Sequence, residues 1–362
     1  MRKEVFILIF IVIFSTLLIW LPFALKSSWF FGLSMPEKGM QTVMANYDGP
    51  NYIVIAKCWY QKDCIAENFS LSLPLEYYPA HFPGYPLTIW FLDKIFPATW
   101  AMLGSTLIFT IAAVLIFYLL TKNFWLSIFF LFLPARWWIV RSIGSPEPLF
   151  IFTILTSIYF FKKEKYWLAG IFGALAQLTK TPAILLLGAY LLFLLWKKRF
   201  YLKTIIPLLL IPLTILLVFC FYQIQTNDFL AYFHSGDNFH LVFPPFQAFI
   251  SERSWLGDIW TEDIVWLYLL GAIGVIQLLK KKRHLLFSFA AIFFTATLFI
   301  AHRDVARYSL PLAPLMLISY EDFLKKKEFK IAFGAVFLGI YIYALNFILH
   351  NTAPIADWTP YL

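Results

Sequence analysis

The chain has 362 residues and a formal charge of +9; 61% of it is apolar, 20% aromatic and 14% charged, with a mean hydropathy of +0.75. Soluble domains hold about 45–50% apolar residues, so these figures exclude a soluble protein and describe an integral membrane protein. They exclude a nucleic-acid partner as well, because the basic residues sit in short clusters between long apolar runs and no basic stripe spans a soluble domain.

Met1-Arg2-Lys3 and the apolar run over 5–25 resemble a signal peptide, yet the run is too long and lacks an A-x-A cleavage site. It reads as a retained first span. A span needs about 20 apolar residues, and the others are expected at 100–121, 124–141, 146–161, 166–179, 182–196, 204–225, 263–279, 285–301, 307–320 and 329–349. The expected fold is an all-α polytopic membrane protein of about 11 transmembrane helices in one domain over 1–362. The segment 85–96 is apolar but carries Asp93 and Lys94, and its ~12 residues cover only ~18 Å of a ~30 Å hydrocarbon core. It is expected to lie on the membrane as an interfacial helix.

Charge supports that count. With the amino terminus inside, the short inner loops hold 18 of the 29 Lys and Arg, while the outer side holds 15 of the 20 acids. A further span at 85–96 would move the tetrabasic run Lys280 to Arg283 to the outside. Two extracytoplasmic loops are long, 26–99 and 226–262, and the inner loops are short, so the outer face is expected to carry the function. No internal repeat is visible, which weighs against a transporter built on duplicated halves. Cys58 and Cys64, six residues apart in the first outer loop, read equally as a bridge or as two thiols, and Cys220 falls within a span. Asn68-Phe69-Ser70 fits a glycosylation sequon.

The first outer loop carries Ala45 to Tyr60, in which Asp48 sits at a Gly49-Pro50 turn between Tyr47 and Tyr52. A carboxylate there suits a general base for a hydroxyl, and equally suits capping of the helix that begins at the proline. His81 lies in a proline and aromatic stretch that ends at Tyr85-Pro86, a composition that lines sugar sites or packs rigidly. Arg136 and Arg141 end the third span, followed by Ser145-Pro146-Glu147, where Glu147 is placed well against a helix dipole. Lys180 stands in an outer turn. In His302-Arg303-Asp304-Val305-Ala306-Arg307, the two arginines are four apart and share a helical face, fit to grip a phosphate or to snorkel. No zinc spacing, Gly-rich phosphate loop, G-x-S-x-G or D-x-D is present, so neither a metal nor another cofactor is expected.

At these residues the chain resembles the polytopic GT-C glycosyltransferases that use polyprenyl-phosphate sugars, most closely the branch of the second mannosyltransferase of GPI-anchor synthesis and its prokaryotic relatives. The resemblance is carried by Tyr47-Asp48-Gly49 with Tyr52 and Ile55-Ala56, then by Phe82-Pro83-Gly84-Tyr85-Pro86. It continues through Ser145-Pro146-Glu147-Pro148-Leu149-Phe150, Ala169-Gly170 to Thr179-Lys180, and Arg307-Tyr308 with Pro311 and Pro314. It implies an inverting transfer of a sugar, often mannose, from a polyprenyl-phosphate carrier to a hydroxyl of a glycan, glycolipid or protein acceptor, at the extracytoplasmic face of the cell membrane, or of the ER membrane in a eukaryote.

Under that resemblance Asp48 is the catalytic base, and Arg303, Arg307, Lys180 and Arg141 meet the donor phosphate. Tyr47, Tyr52, His81, Tyr85, Glu147 and His302 line the substrate pocket, membrane lipids surround the bundle, and the lipid-linked sugar is substrate rather than cofactor. The rival reading is a lipid or solute transporter or flippase, which would be expected to carry ionisable groups at mid-membrane.

Overall fold

The computed structural model describes residues 2–70, 73–236, 240–250, 260–302 and 304–362. Nearly all of its regular structure is helical, as hydrocarbon requires of a backbone that must satisfy its own N–H and C=O groups. The chain begins with α1 (Arg2–Ala24), then a two-residue hairpin of β1 (Trp29–Phe30) and β2 (Leu33–Ser34). The first outer loop then folds into α2 (Met40–Met44), α3 (Gly49–Cys58), α4 (Lys62–Asn68) and α5 (Gly84–Leu92), and leads to α6 (Ala98–Thr121). A disulfide joins Cys58 to Cys64 and ties α3 to α4.

Proline decides where the apolar runs break. The run 124–141 becomes α7 (Phe124–Phe132) and α8 (Ala135–Val140), because Leu133 is extended before Pro134, as the residue preceding a proline prefers. After α9 (Glu147–Lys162), α10 (Tyr166–Thr179) and α11 (Ile184–Lys197), a second run divides at Leu209 into α12 (Leu202–Leu208) and α13 (Leu210–Thr226), with Pro207 and Pro212 on either side. The second outer loop contributes α14 (Ala231–His234), and α15 (Trp260–Lys280) and α16 (His284–Thr297) return the chain across the bundle. Pro311 and Pro314 divide the next run into α17 (Val305–Tyr308), a 3-10 turn and α18 (Ala313–Ser319). Then come α19 (Glu321–Leu324) and the long α20 (Lys327–His350).

Five helical stretches among the described residues are long and apolar enough to cross a membrane: Arg2–Ala24, Ala98–Thr121, Leu202–Thr226, Glu262–Lys280 and Lys327–His350. Four shorter apolar helices accompany them; Tyr166–Thr179, for example, has 14 residues and covers only ~21 Å. The segment expected at 85–96 is the nine-residue α5, packed against α3 and α6. Its first residue, Gly84, meets the carboxyl end of α10 so closely that a Cβ there would stand 2.7 Å from the Leu178 carbonyl oxygen.

Candidate active site

The Asp48 turn is built from two distant parts of the chain. Asn46 is fully buried, and its Nδ2 donates to the Ile348 carbonyl at 2.7 Å, 302 residues downstream. The Tyr47 amide donates to the Asn351 carbonyl at 3.2 Å, and Ala353 N donates to the Ala45 carbonyl at 2.8 Å. The segment after α20 thus lies alongside the turn like a short strand. Its support holds Tyr47 at φ 50°, a left-handed conformation that costs a non-glycine residue about 1–3 kcal/mol.

Asp48 occupies the cap position of α3 but makes no capping hydrogen bond with its side chain. Of the two sequence readings, capping is thereby set aside. The carboxylate turns to Arg307 instead, with Oδ2 3.3 Å from Nη1, and to His81, whose Nε2 is 3.8 Å from Oδ1. Burial works against the Asp48 charge, but His81 and Arg307 outweigh it and hold the carboxyl well below the usual carboxylate range. Burial, together with the nearby Asp304, pushes the Tyr47 phenol well up.

Arg307 is shared. Its Nε donates to Glu147 Oε1 at 2.8 Å, the same oxygen receives Lys180 Nζ at 2.9 Å, and Ser145 Oγ donates to the other carboxylate oxygen. Glu147, only 3% exposed at its side chain, lies behind the cavity wall as counter-ion to both cations rather than as a pocket residue. The guanidinium also covers the Tyr47 ring, 4.2 Å from its centroid. On the far side of that ring the Tyr47 hydroxyl donates to Asp304 Oδ2 at 2.8 Å and accepts from Arg136 Nη1 at 3.0 Å.

These groups border a cavity of about 1160 Å³. Tyr47, Asp48, Tyr52, His81, Lys180, His302 and Arg307 all line it, so most of the expected site residues meet in one place. Glu147, as described, does not, and two more expected residues lie away from it. Arg141 is fully buried and points elsewhere, with Nε donating to the Leu131 carbonyl, Nη1 to Thr16 Oγ1 and Nη2 to Ser15 Oγ. It fastens α8 to α1. Tyr85 is also fully buried: its ring packs edge-on against Tyr52 at 5.1 Å and its hydroxyl donates to the Met102 carbonyl. Arg303 lies outside the described residues. Among the described residues no group of three His, Cys, Asp or Glu side chains is placed to hold a metal ion.

Arg136 and Asp304, named from the sequence only as part of a span end and of the 302–307 run and given no site role, both line the cavity. Arg136 and Arg141 are five residues apart, about 140° around a helix, so only one of them can face the cavity. Nothing in the sequence said which. The second outer loop adds His240, whose ring lies 4.4 Å from that of His302, and Tyr232, whose hydroxyl is 2.9 Å from Thr181 Oγ1. Compared with protein-family models and with curated proteins, the chain matches none.

Proposed function

We propose that the chain is an inverting membrane glycosyltransferase that moves a sugar, mannose in the first instance, from a polyprenyl-phosphate carrier to an acceptor hydroxyl. One observation carries this reading: an acid unused as a cap shares Arg307 with a buried Glu147–Lys180 pair at the wall of a single large cavity. In the proposed reaction the acceptor oxygen bonds to the anomeric carbon as Asp48 takes its proton. The bond from that carbon to the phosphate oxygen breaks, and the carrier phosphate leaves with the electron pair. Arg307 and Lys180 face the charge that grows on it, at a site where preorganised cations act most strongly.

An apolar groove supports a lipid-borne donor. About 400 Å³ in volume, it runs between α10 and α13 and is lined by Pro83, Leu178, Leu210 and Phe221 among others. Pro83 and Leu178 directly adjoin Phe82 and Thr179 of the main cavity, so a headgroup in the cavity could trail its tail there. In this proposal the four shorter apolar helices, with α9 and the broken pair α7–α8, complete a bundle of about 11 spans, with the cavity opening on the extracytoplasmic side.

The test is turnover of a labelled polyprenyl-phosphate mannose, followed as released carrier phosphate, by the wild type and by a folded Asp48→Asn variant that still binds donor. A loss of about 10²–10⁴-fold is expected for removal of a general base. Transfer near the wild-type rate overturns the base assignment. Movement of intact donor between the leaflets of sealed vesicles, with no carrier phosphate released, assigns the chain to the flippase class instead.

A further inference from the structure

The last two turns of α20 carry polar groups where a helix of this hydropathy would be expected to show lipid-facing aliphatics. Tyr343, Asn346 and His350 are exposed and Phe347 is half-buried, at helical spacings of three, four and seven. All four line the main cavity. Beside them stands the Arg136–Asp304 pair, Nη2 to Oδ1 at 3.3 Å, with the Arg136 guanidinium 3.8 Å from the centroid of the Phe347 ring. Asp304 is nine-tenths buried, and its charge is matched by Arg136.

We infer that this wall is the acceptor subsite and that its occupant is a neutral, hydroxyl-rich glycan; the inference rests on the sugar-transfer reading above. The charges argue for neutrality. Among the described residues Arg136 and Asp304 balance one another, so this wall carries no excess charge of either sign to draw an anionic headgroup or a cationic peptide. The amide of Asn346, the imidazole of His350 and the Arg136–Asp304 pair offer donors and acceptors side by side, as adjacent sugar hydroxyls require. The exposed face of Tyr343 suits the C–H face of a pyranose. Geometry then sets the direction of the chain. Tyr47 separates this wall from Arg307, and Asp48 follows Tyr47 directly, so a glycan lying along α20 presents its terminal hydroxyl past the phenol to the base.

The test uses the full-length protein in detergent and the double variant Asn346→Ala/His350→Ala. Saturation-transfer NMR with mannobiose, maltose and diacetylchitobiose should give transfer to at least one disaccharide in the wild type, weakened at least threefold in the variant. In turnover with that disaccharide, the acceptor KM should rise about tenfold, the equivalent of one or two hydrogen bonds, while the donor KM stays level. Equal saturation in the two proteins, no saturation of any disaccharide, or a rise in donor KM alone overturns the inference. So does transfer to a glycerophosphate or a serine peptide in place of the sugars. A wild type that saturates a disaccharide yet releases no carrier phosphate overturns the sugar-transfer reading and leaves the glycan site standing.

Discussion

At the scale of single residues the site is an arrangement of shared charges. Arg307 serves Asp48, Glu147 and the face of Tyr47 together, so any ligand phosphate that draws it away changes the surroundings of the acid. The sign of the Asp48 shift gives a pH prediction. Its folded carboxyl lies below the unfolded value of about 4, so its contribution to stability is complete above about pH 4 and is lost as pH falls through the folded value. Free-enzyme kcat/KM should therefore show no acid limb from Asp48 between about pH 5 and 7. Arg307→Gln removes one of the two groups that depress the carboxyl, and should move that limb upward along with the loss in rate. A limb near pH 4 in the wild type that ignores this substitution would contradict the shared-charge account.

The same residues show what a sequence can and cannot disclose. Asp48 stood out because an acid beside Gly49-Pro50 in so apolar a chain is rare, but only the missing cap bond separates its two readings. Glu147 was legible as a helix-start acid and not as the counter-ion of Lys180 and Arg307, because those partners arrive from 33 and 160 residues away. Arg141 misled because an arginine at the end of an apolar run reads the same whether it meets a ligand or the hydroxyls of α1.

At the scale of elements, the outcome turned on proline and glycine. Hydropathy located the apolar runs, but it could not weigh Pro134, Pro207 or Pro311 against them, and the runs at 124–141, 204–225 and 307–320 divide near those residues. The last division is what makes the site. It leaves Val305–Tyr308 as a single turn that aims Arg307 inward, where a continuous helix would have set the residue by its phase alone. Gly84 performs a related task by letting α5 meet the end of α10, two residues before Lys180. Gly84→Ala places a Cβ 2.7 Å from the Leu178 carbonyl oxygen and 2.8 Å from its carbon, both backbone atoms with little room to yield. Overpacking of this kind costs about 1–3 kcal/mol. The variant should melt at a lower temperature and show a raised donor KM as Lys180 shifts; an unchanged melting curve would mean that the two helices part without cost.

At the scale of the whole molecule, the expected orientation rests on charge asymmetry. The expected inner loops carry clusters such as Lys280 to Arg283, where Arg283 pairs with Glu321 and Lys281 with Asp322, while the cavity groups gather at the other helix ends. In a Cys220→Ser background, Lys38→Cys and Lys282→Cys, both exposed, should react with an impermeant maleimide from opposite sides of a sealed vesicle. Labelling of both from one side would place the cavity in the wrong leaflet for an extracytoplasmic reaction.

The strand-like run after α20 couples the site to the order of synthesis. Asn46, Tyr47 and Ala45 take their backbone and amide partners from Ile348, Asn351 and Ala353, which are synthesised long after them. Until α20 and that run are made, the acid lacks the support that aims it. On the sugar-transfer proposal, a chain in which α20 and its extension have yet to form is inactive toward lipid-linked substrates.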